Sequence, residues 1–95
     1  MTLVGKKLLH DFKEKYADSQ SQIDSWEAEV DDAQWHSPHD LKKRYPKASI
    51  LKDRRVVFDL CWNKYRLLVQ IDYKNAIVLV KNIGTHKEYD SWKMG

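Results

Sequence analysis

Two hydrophobic periods divide the chain. From Lys6 to about Ala33 apolar residues recur at helical spacing. Leu8, Leu9, Phe12 and Tyr16 share one side of a helix predicted over Lys6–Tyr16. Asp18-Ser19 interrupts it. Ser19-x-x-Gln22 then has the form of a capping box, in which the Ser oxygen accepts from the third backbone N–H and Gln reaches back. A second helix is predicted to about Ala33, with Ile23, Trp26, Val30 and Ala33 inward and most of its acidic residues outside that stripe. So short a link implies a helical hairpin. Ser37-Pro38-His39-Asp40 is a further helix start: Ser37 caps, Pro38 suits the first helical position and Asp40 completes the box. That helix carries Leu41 and Tyr45 and must stop near Pro46.

Beyond it the period becomes two. In Arg55 to Trp62, Val56, Phe58, Leu60 and Trp62 share one face, with Arg55, Val57, Asp59 and Cys61 on the other. In Tyr65 to Tyr73 one face is wholly apolar, and the opposite face reads Lys64, Arg66, Leu68, Gln70, Asp72. Lys74-Asn75 is a predicted tight turn, because Asn tolerates positive φ. A strand from Ala76 to Asn82 completes the meander, with Ala76, Val78 and Val80 toward the helices and Lys81 beside Arg66. Met1 to Val4 is predicted as a short edge strand. The expected fold is α+β: one domain over 1–95, an N-terminal helical hairpin packed on one face of a small, mainly antiparallel sheet. Its open face would carry Arg55, Lys64, Arg66 and Lys81, with His86 and Tyr89 at the rim.

Composition narrows the partners. At 42% hydrophobic and 33% charged, the 95 residues describe a globular domain with a modest core. No apolar run approaches the roughly 20 residues of a membrane span. Lys6, Lys7, His10 and Asp11 interrupt any secretory signal, and the lone Cys61 cannot form an internal disulfide, so a cytoplasmic location is expected. The net charge of +3 is unevenly placed. Residues 1–40 hold four Lys against nine Asp/Glu, and residues 41–95 hold thirteen Lys/Arg against five. That division suggests a basic surface for a polyanion.

The candidate chemistry gathers at the end of the last strand, in Thr85-His86-Lys87-Glu88-Tyr89-Asp90. Arg66 offers a fork of donors for a phosphate, or else a surface salt bridge with Asp59 or Asp72. His86 can exchange a proton near neutrality, or be simply solvated. Tyr89 can orient a phosphate, stack a base, or pack under the sheet edge. Lys64, Lys81 and Lys87 would supply field. His36 and His39 lack further ligands at recognisable spacing, so no metal or cofactor is expected. No Gly-rich phosphate loop or nucleophile elbow is present. Trp26 is predicted core; Trp35, Trp62 and Trp92 are open between core and partner contact.

The pattern Asn63-Lys64-Tyr65-Arg66-Leu67, the alternating strand to Asp72-Tyr73, and Gly84-Thr85-His86-Lys87-Glu88-Tyr89-Asp90 resembles the HigB-type toxins of bacterial toxin–antitoxin modules, within the RelE-like superfamily. The resemblance extends to Ser37–Lys42 and Arg54–Asp59. It departs at Cys61-Trp62, where relatives commonly carry one or two Gly. The resemblance implies a RelE-like fold and a ribosome-associated endoribonuclease that cleaves mRNA without a metal, through the substrate's 2′-hydroxyl. It implies Arg66, His86 and Tyr89 as catalytic residues, with His86 as acid or base, and Arg55, Lys64, Lys81 and Lys87 as RNA-binding. It also implies a cognate protein antitoxin, HigA-like with a helix-turn-helix. A non-catalytic RNA-binding module and a ParE-like toxin directed at gyrase are the alternatives.

Overall fold

The computed structural model describes residues 1–92. Strand β1 (Thr2–Val4) leads through Gly5 into helix α1 (Lys6–Lys15). Gly5 makes that reversal at φ +93, and a Cβ there would lie 3.1 Å from the Val80 carbonyl oxygen. A single 3₁₀ turn, Ala17–Ser19, joins α1 to α2 (Gln20–Asp32), giving the expected hairpin. Helix α3 (Pro38–Arg44) and strands β2 (Ser49–Ile50), β3 (Arg55–Leu60), β4 (Tyr65–Asp72) and β5 (Ile77–Thr85) follow, then helix α4 (His86–Ser91). The sheet runs β1-β5-β4-β3-β2. Among the described residues only the β1–β5 pairing is parallel. The α+β class read from the periods and the RelE-like fold that the resemblance implies therefore stand.

The core lies between the hairpin and one face of the sheet. Leu9, Phe12, Ile23, Trp26 and Val30 meet Val56, Phe58, Leu60, Tyr65, Leu67, Val69, Val78 and Val80. Leu8, expected inside, is exposed, so the buried stripe of α1 is narrower than its apolar pattern. Two aromatic groups fill the ends. Phe12, Tyr16 and Tyr65 have ring centroids 4.6–5.2 Å apart. Trp26, Trp35 and Tyr45 surround Phe58. Leu41 of α3 is fully buried, and Lys42 Nζ donates to the carbonyls of Pro46 and Ala48, closing the chain after that helix.

Local chemistry departs from expectation in four places. Ser19 forms no capping box: its hydroxyl donates to the Tyr16 carbonyl at 2.7 Å. Gln22 is drawn away instead, its side-chain oxygen accepting from Cys61 N–H at 2.7 Å. Strand β3 ends at Leu60, so Trp62 leaves the core face and stands 99% exposed in the turn. At the β4–β5 turn Ala76, not Asn75, takes positive φ, because the Asn75 side chain is held by Asp72. Finally, β5 runs to Thr85, and α4 lies against the sheet face expected to be open. Gly84 permits that approach: a Cβ there would sit 3.0 Å from Trp92 Cζ2 and 3.2 Å from Glu88 Cβ.

Gly84→Ala should therefore displace α4 and cost roughly 1–3 kcal/mol, the usual range for overpacking a close contact. Thermal unfolding gives the loss, and near-ultraviolet circular dichroism reports the Trp92 environment. An unchanged melting temperature and aromatic spectrum would contradict this packing.

Candidate active site

Three segments meet where the hairpin link, the β3–β4 turn and the start of α4 converge. Asp18, in the 3₁₀ turn, accepts from Tyr65 Oη at 2.6 Å and from Lys64 Nζ at 2.5 Å. The Lys64 carbonyl in turn accepts from His86 N–H at 2.9 Å. Thr85 and Glu88 cap α4 reciprocally, Glu88 N–H donating to Thr85 Oγ1 at 3.1 Å and Thr85 N–H to Glu88 Oε1 at 2.9 Å. That backbone bond holds the Glu88 carboxyl below its ordinary pKa. The hydrogen bond from Lys64, then that from Tyr65, lowers the pKa of Asp18. Bonding to Asp18 raises that of Lys64. Burial, then Asp18, raises that of Tyr65. The clasp is thus an ionised carboxylate between a charged ammonium and a neutral phenol at neutral pH.

Around the clasp opens a cleft of about 640 Å³. Lys15 and Tyr16 form one wall, Trp62, Asn63 and Lys64 a second, and Thr85, His86 and Lys87 the third. His86 is exposed as the first residue of α4. The cleft therefore joins an accessible imidazole to three lysines. Such a site can bind a phosphate and exchange a proton beside it.

The other sequence-predicted residues lie elsewhere. Arg66 is only 13% exposed in its side chain, with Nε 3.1 Å from Asp59 Oδ1. Its Nη1 donates to the Asn63 carbonyl at 2.7 Å and the Tyr65 carbonyl at 3.3 Å. Its guanidinium lies 5.5 Å from the centroid of the Tyr89 ring, and Tyr89 meets Trp92 edge-on. Of the uses weighed for Arg66, the ion pair with Asp59 is thus realised. Lys81 does not stand beside Arg66: the partner of Arg66 is Gly84, and Lys81 falls at the irregularity between the Leu68↔Asn82 and Val69↔Val80 pairs. Arg55 pairs with Gln70 at the far end of the β3–β4 ladder, and its Nε donates to the Lys52 carbonyl. It lies four strand residues from Asp59, roughly 13 Å. Lys64 is in the turn before β4 and points into the Asp18 clasp. The four residues of the expected basic face thus stand in four different settings. Pattern reading did not gather Lys15, which lines the cleft from the end of α1, and it left Trp62 open between core and partner contact.

Fold and sequence together define the class, a small RelE-like toxin. Residues 19–92 match the family described as HigB_toxin, RelE-like toxic component of a toxin–antitoxin system. The chain belongs to this HigB family. It is 26% identical over 92 residues to the mRNA interferase toxin HigB of Escherichia coli (strain K12), covering 95% of this chain and 88% of that protein. The proteins named mRNA interferase HigB in Escherichia coli O157:H7 and Shigella flexneri match to the same extent.

Two predictions test this geometry. The folded-state pKa of Asp18 is lowered, so its contribution to stability is present above the unfolded value of about 3.9 and is lost as pH falls through the folded value. Asp18→Asn should be less stable than wild type at pH 7, with the gap closing below about pH 4. Urea unfolding across pH measures this, and a gap independent of pH would contradict it. Arg66→Ala removes the partner of Asp59 and the cation over Tyr89, so it should lose about 1–2 kcal/mol of stability. Parallel denaturation curves for Asp59→Ala and the double variant give the coupling. Strict additivity would contradict a working ion pair.

Proposed function

We propose that the chain is an mRNA interferase toxin that cleaves messenger RNA under translation on the ribosome, by attack of the substrate's own 2′-hydroxyl. The observation that carries the reading is the exposed His86 imidazole within a cleft that also presents Lys15, Lys64 and Lys87. The names of the relatives as mRNA interferases support the substrate class. In the reaction the 2′-oxygen bonds to phosphorus as its proton leaves to a base, and the P–O5′ bond breaks as O5′ receives a proton. The products are a 2′,3′-cyclic phosphate and a 5′-hydroxyl. With the nucleophile inside the substrate, the protein supplies proton transfer and positive charge, and we assign it no metal or cofactor. His86 is the acid or base. Arg66, two strand residues or roughly 7 Å along the chain from Lys64, is the donor to the charged pentacovalent phosphate. Its contacts to Asp59, Asn63 and Tyr65 run through Nε and Nη1, so the phosphate falls to Nη2. Tyr89 positions that guanidinium through its ring.

Lys64 and Lys87 bind the RNA backbone at the cleft, and Lys81 and Arg55 bind it further along. A cognate antitoxin, HigA-like with a helix-turn-helix DNA-binding domain, neutralises the toxin in the bacterial cytoplasm.

Strong expression should arrest bacterial growth, and co-expression of the cognate antitoxin should restore it. On programmed ribosomes His86→Gln should lower the single-turnover cleavage rate about 10²–10⁴-fold while ribosome binding changes little. Wild-type rates in that variant would remove His86 from the mechanism. Ribosome or RNA binding without new RNA ends would favour a non-catalytic binding module. Growth arrest with intact RNA and inhibited gyrase would favour the ParE-like alternative.

A further inference from the structure

We propose that Trp62 is a stacking platform for a nucleobase of the bound RNA, next to the phosphate held at His86; this rests on the RNA-directed reading above. The indole is 99% exposed, so it adds nothing to the core. Its backbone stands at φ 57, between Cys61 at φ 52 and Asn63 at φ 72. Three consecutive left-handed residues, none of them Gly, are an unfavourable backbone, most of all for a bulky side chain. The fold therefore maintains a costly turn whose tip carries a large aromatic ring in water.

The turn is held from both sides. Gln22 accepts from Cys61 N–H at 2.7 Å, the Cys61 carbonyl accepts from Lys64 N–H at 3.1 Å, and the Asn63 carbonyl accepts from Arg66 at 2.7 Å. The ring is thus carried on an anchored backbone. It forms a ridge between two hollows: the cleft of His86 on one side, and on the other a depression of about 330 Å³ walled by Gln22, Lys47, Asp59 and Asn63. Its surroundings carry Lys15, Lys64 and Lys87 on one side and Lys47 on the other, which suits an aromatic face beside a phosphate chain. An aromatic ring flanked by cations is the recurring device for single-stranded nucleic acid, because every base has a π-face to stack. What favours a base over an apolar protein side chain here is the lysines on both sides of the ring, which a phosphate chain would neutralise.

The test is equilibrium binding of a fully 2′-O-methylated RNA oligonucleotide, which cannot be cleaved, and of the same backbone with abasic sugars. The variants are Trp62→Gly and Trp62→Phe. Gly adopts positive φ freely, so Trp62→Gly should melt at or above the wild-type temperature. It should bind the oligonucleotide about 5- to 150-fold more weakly, the range for loss of one base–aromatic stack. Trp62→Phe should keep most of the affinity. The slope of affinity against salt should not change, because no phosphate contact is lost. On the abasic backbone, wild type and Trp62→Gly should bind alike. Equal affinity of wild type and Trp62→Gly for the base-bearing RNA would overturn the platform, as would an equal loss on the abasic backbone. So would a Trp62→Gly variant that keeps RNA affinity but escapes its antitoxin, since the ring would then belong to the protein partner. If wild type binds no RNA at all, the RNA-directed reading itself fails and the platform falls with it.

Discussion

The carboxylate of Asp18 is the constraint on which the site depends. It stands in the one-turn link of the hairpin and accepts from the first residue of β4 and from the residue before it. Tyr65, almost fully buried, brings its hydroxyl there from the middle of an aromatic group that also contains Phe12 and Tyr16. The helical layer is thereby tied to the sheet at one end. Lys64 passes the tie onward through its carbonyl to His86. A cleft with walls from three distant stretches of chain is consequently held by one short hydrogen-bonded relay. The relay fixes the backbone of His86 rather than its ring.

A second layer of order lies on the opposite side of α4. Gly84 lets the short helix settle onto the sheet, and Arg66 sits between Asp59 and the Tyr89 ring. The guanidinium thus serves structure as well as any chemistry, since its contacts span β3, the β3–β4 turn and α4. A single positive charge placed this way couples the position of the terminal helix to the geometry of the turn that carries Lys64 and Trp62. The Asp59 ion pair is mostly shielded from solvent, so it resists screening better than the exposed pairs along α1.

The strands and their core faces were legible because alternation is a direct consequence of the pleat. Val56, Phe58, Leu67 and Val69 could face only one way once one side was buried. The hairpin was legible for the same reason at helical period. The ends of elements were not. Trp62 continued the alternation of Val56, Phe58 and Leu60, and nothing in that pattern marks where a strand gives way to left-handed backbone. Ser19 and Gln22 had the right spacing for a cap, yet a tertiary partner, Cys61 N–H, took the Gln22 side chain. The face expected to be open is partly covered because α4 folds back over it, an approach that the absence of a side chain at Gly84 permits. His86, Lys64 and Lys87 were found by their chemistry and do share a cleft; Arg55 and Lys81 shared only a predicted face.

In the proposed reaction RNA is cut at the His86 cleft by its own 2′-hydroxyl. The most direct measurement is the chemistry of the new ends after incubation with translating ribosomes. Upstream fragments should end in a 2′,3′-cyclic phosphate and downstream fragments should begin with a 5′-hydroxyl, with no cut at a position bearing a single 2′-deoxy sugar. Fragments with 5′-phosphate ends, or cleavage that persists at the 2′-deoxy position, would contradict it.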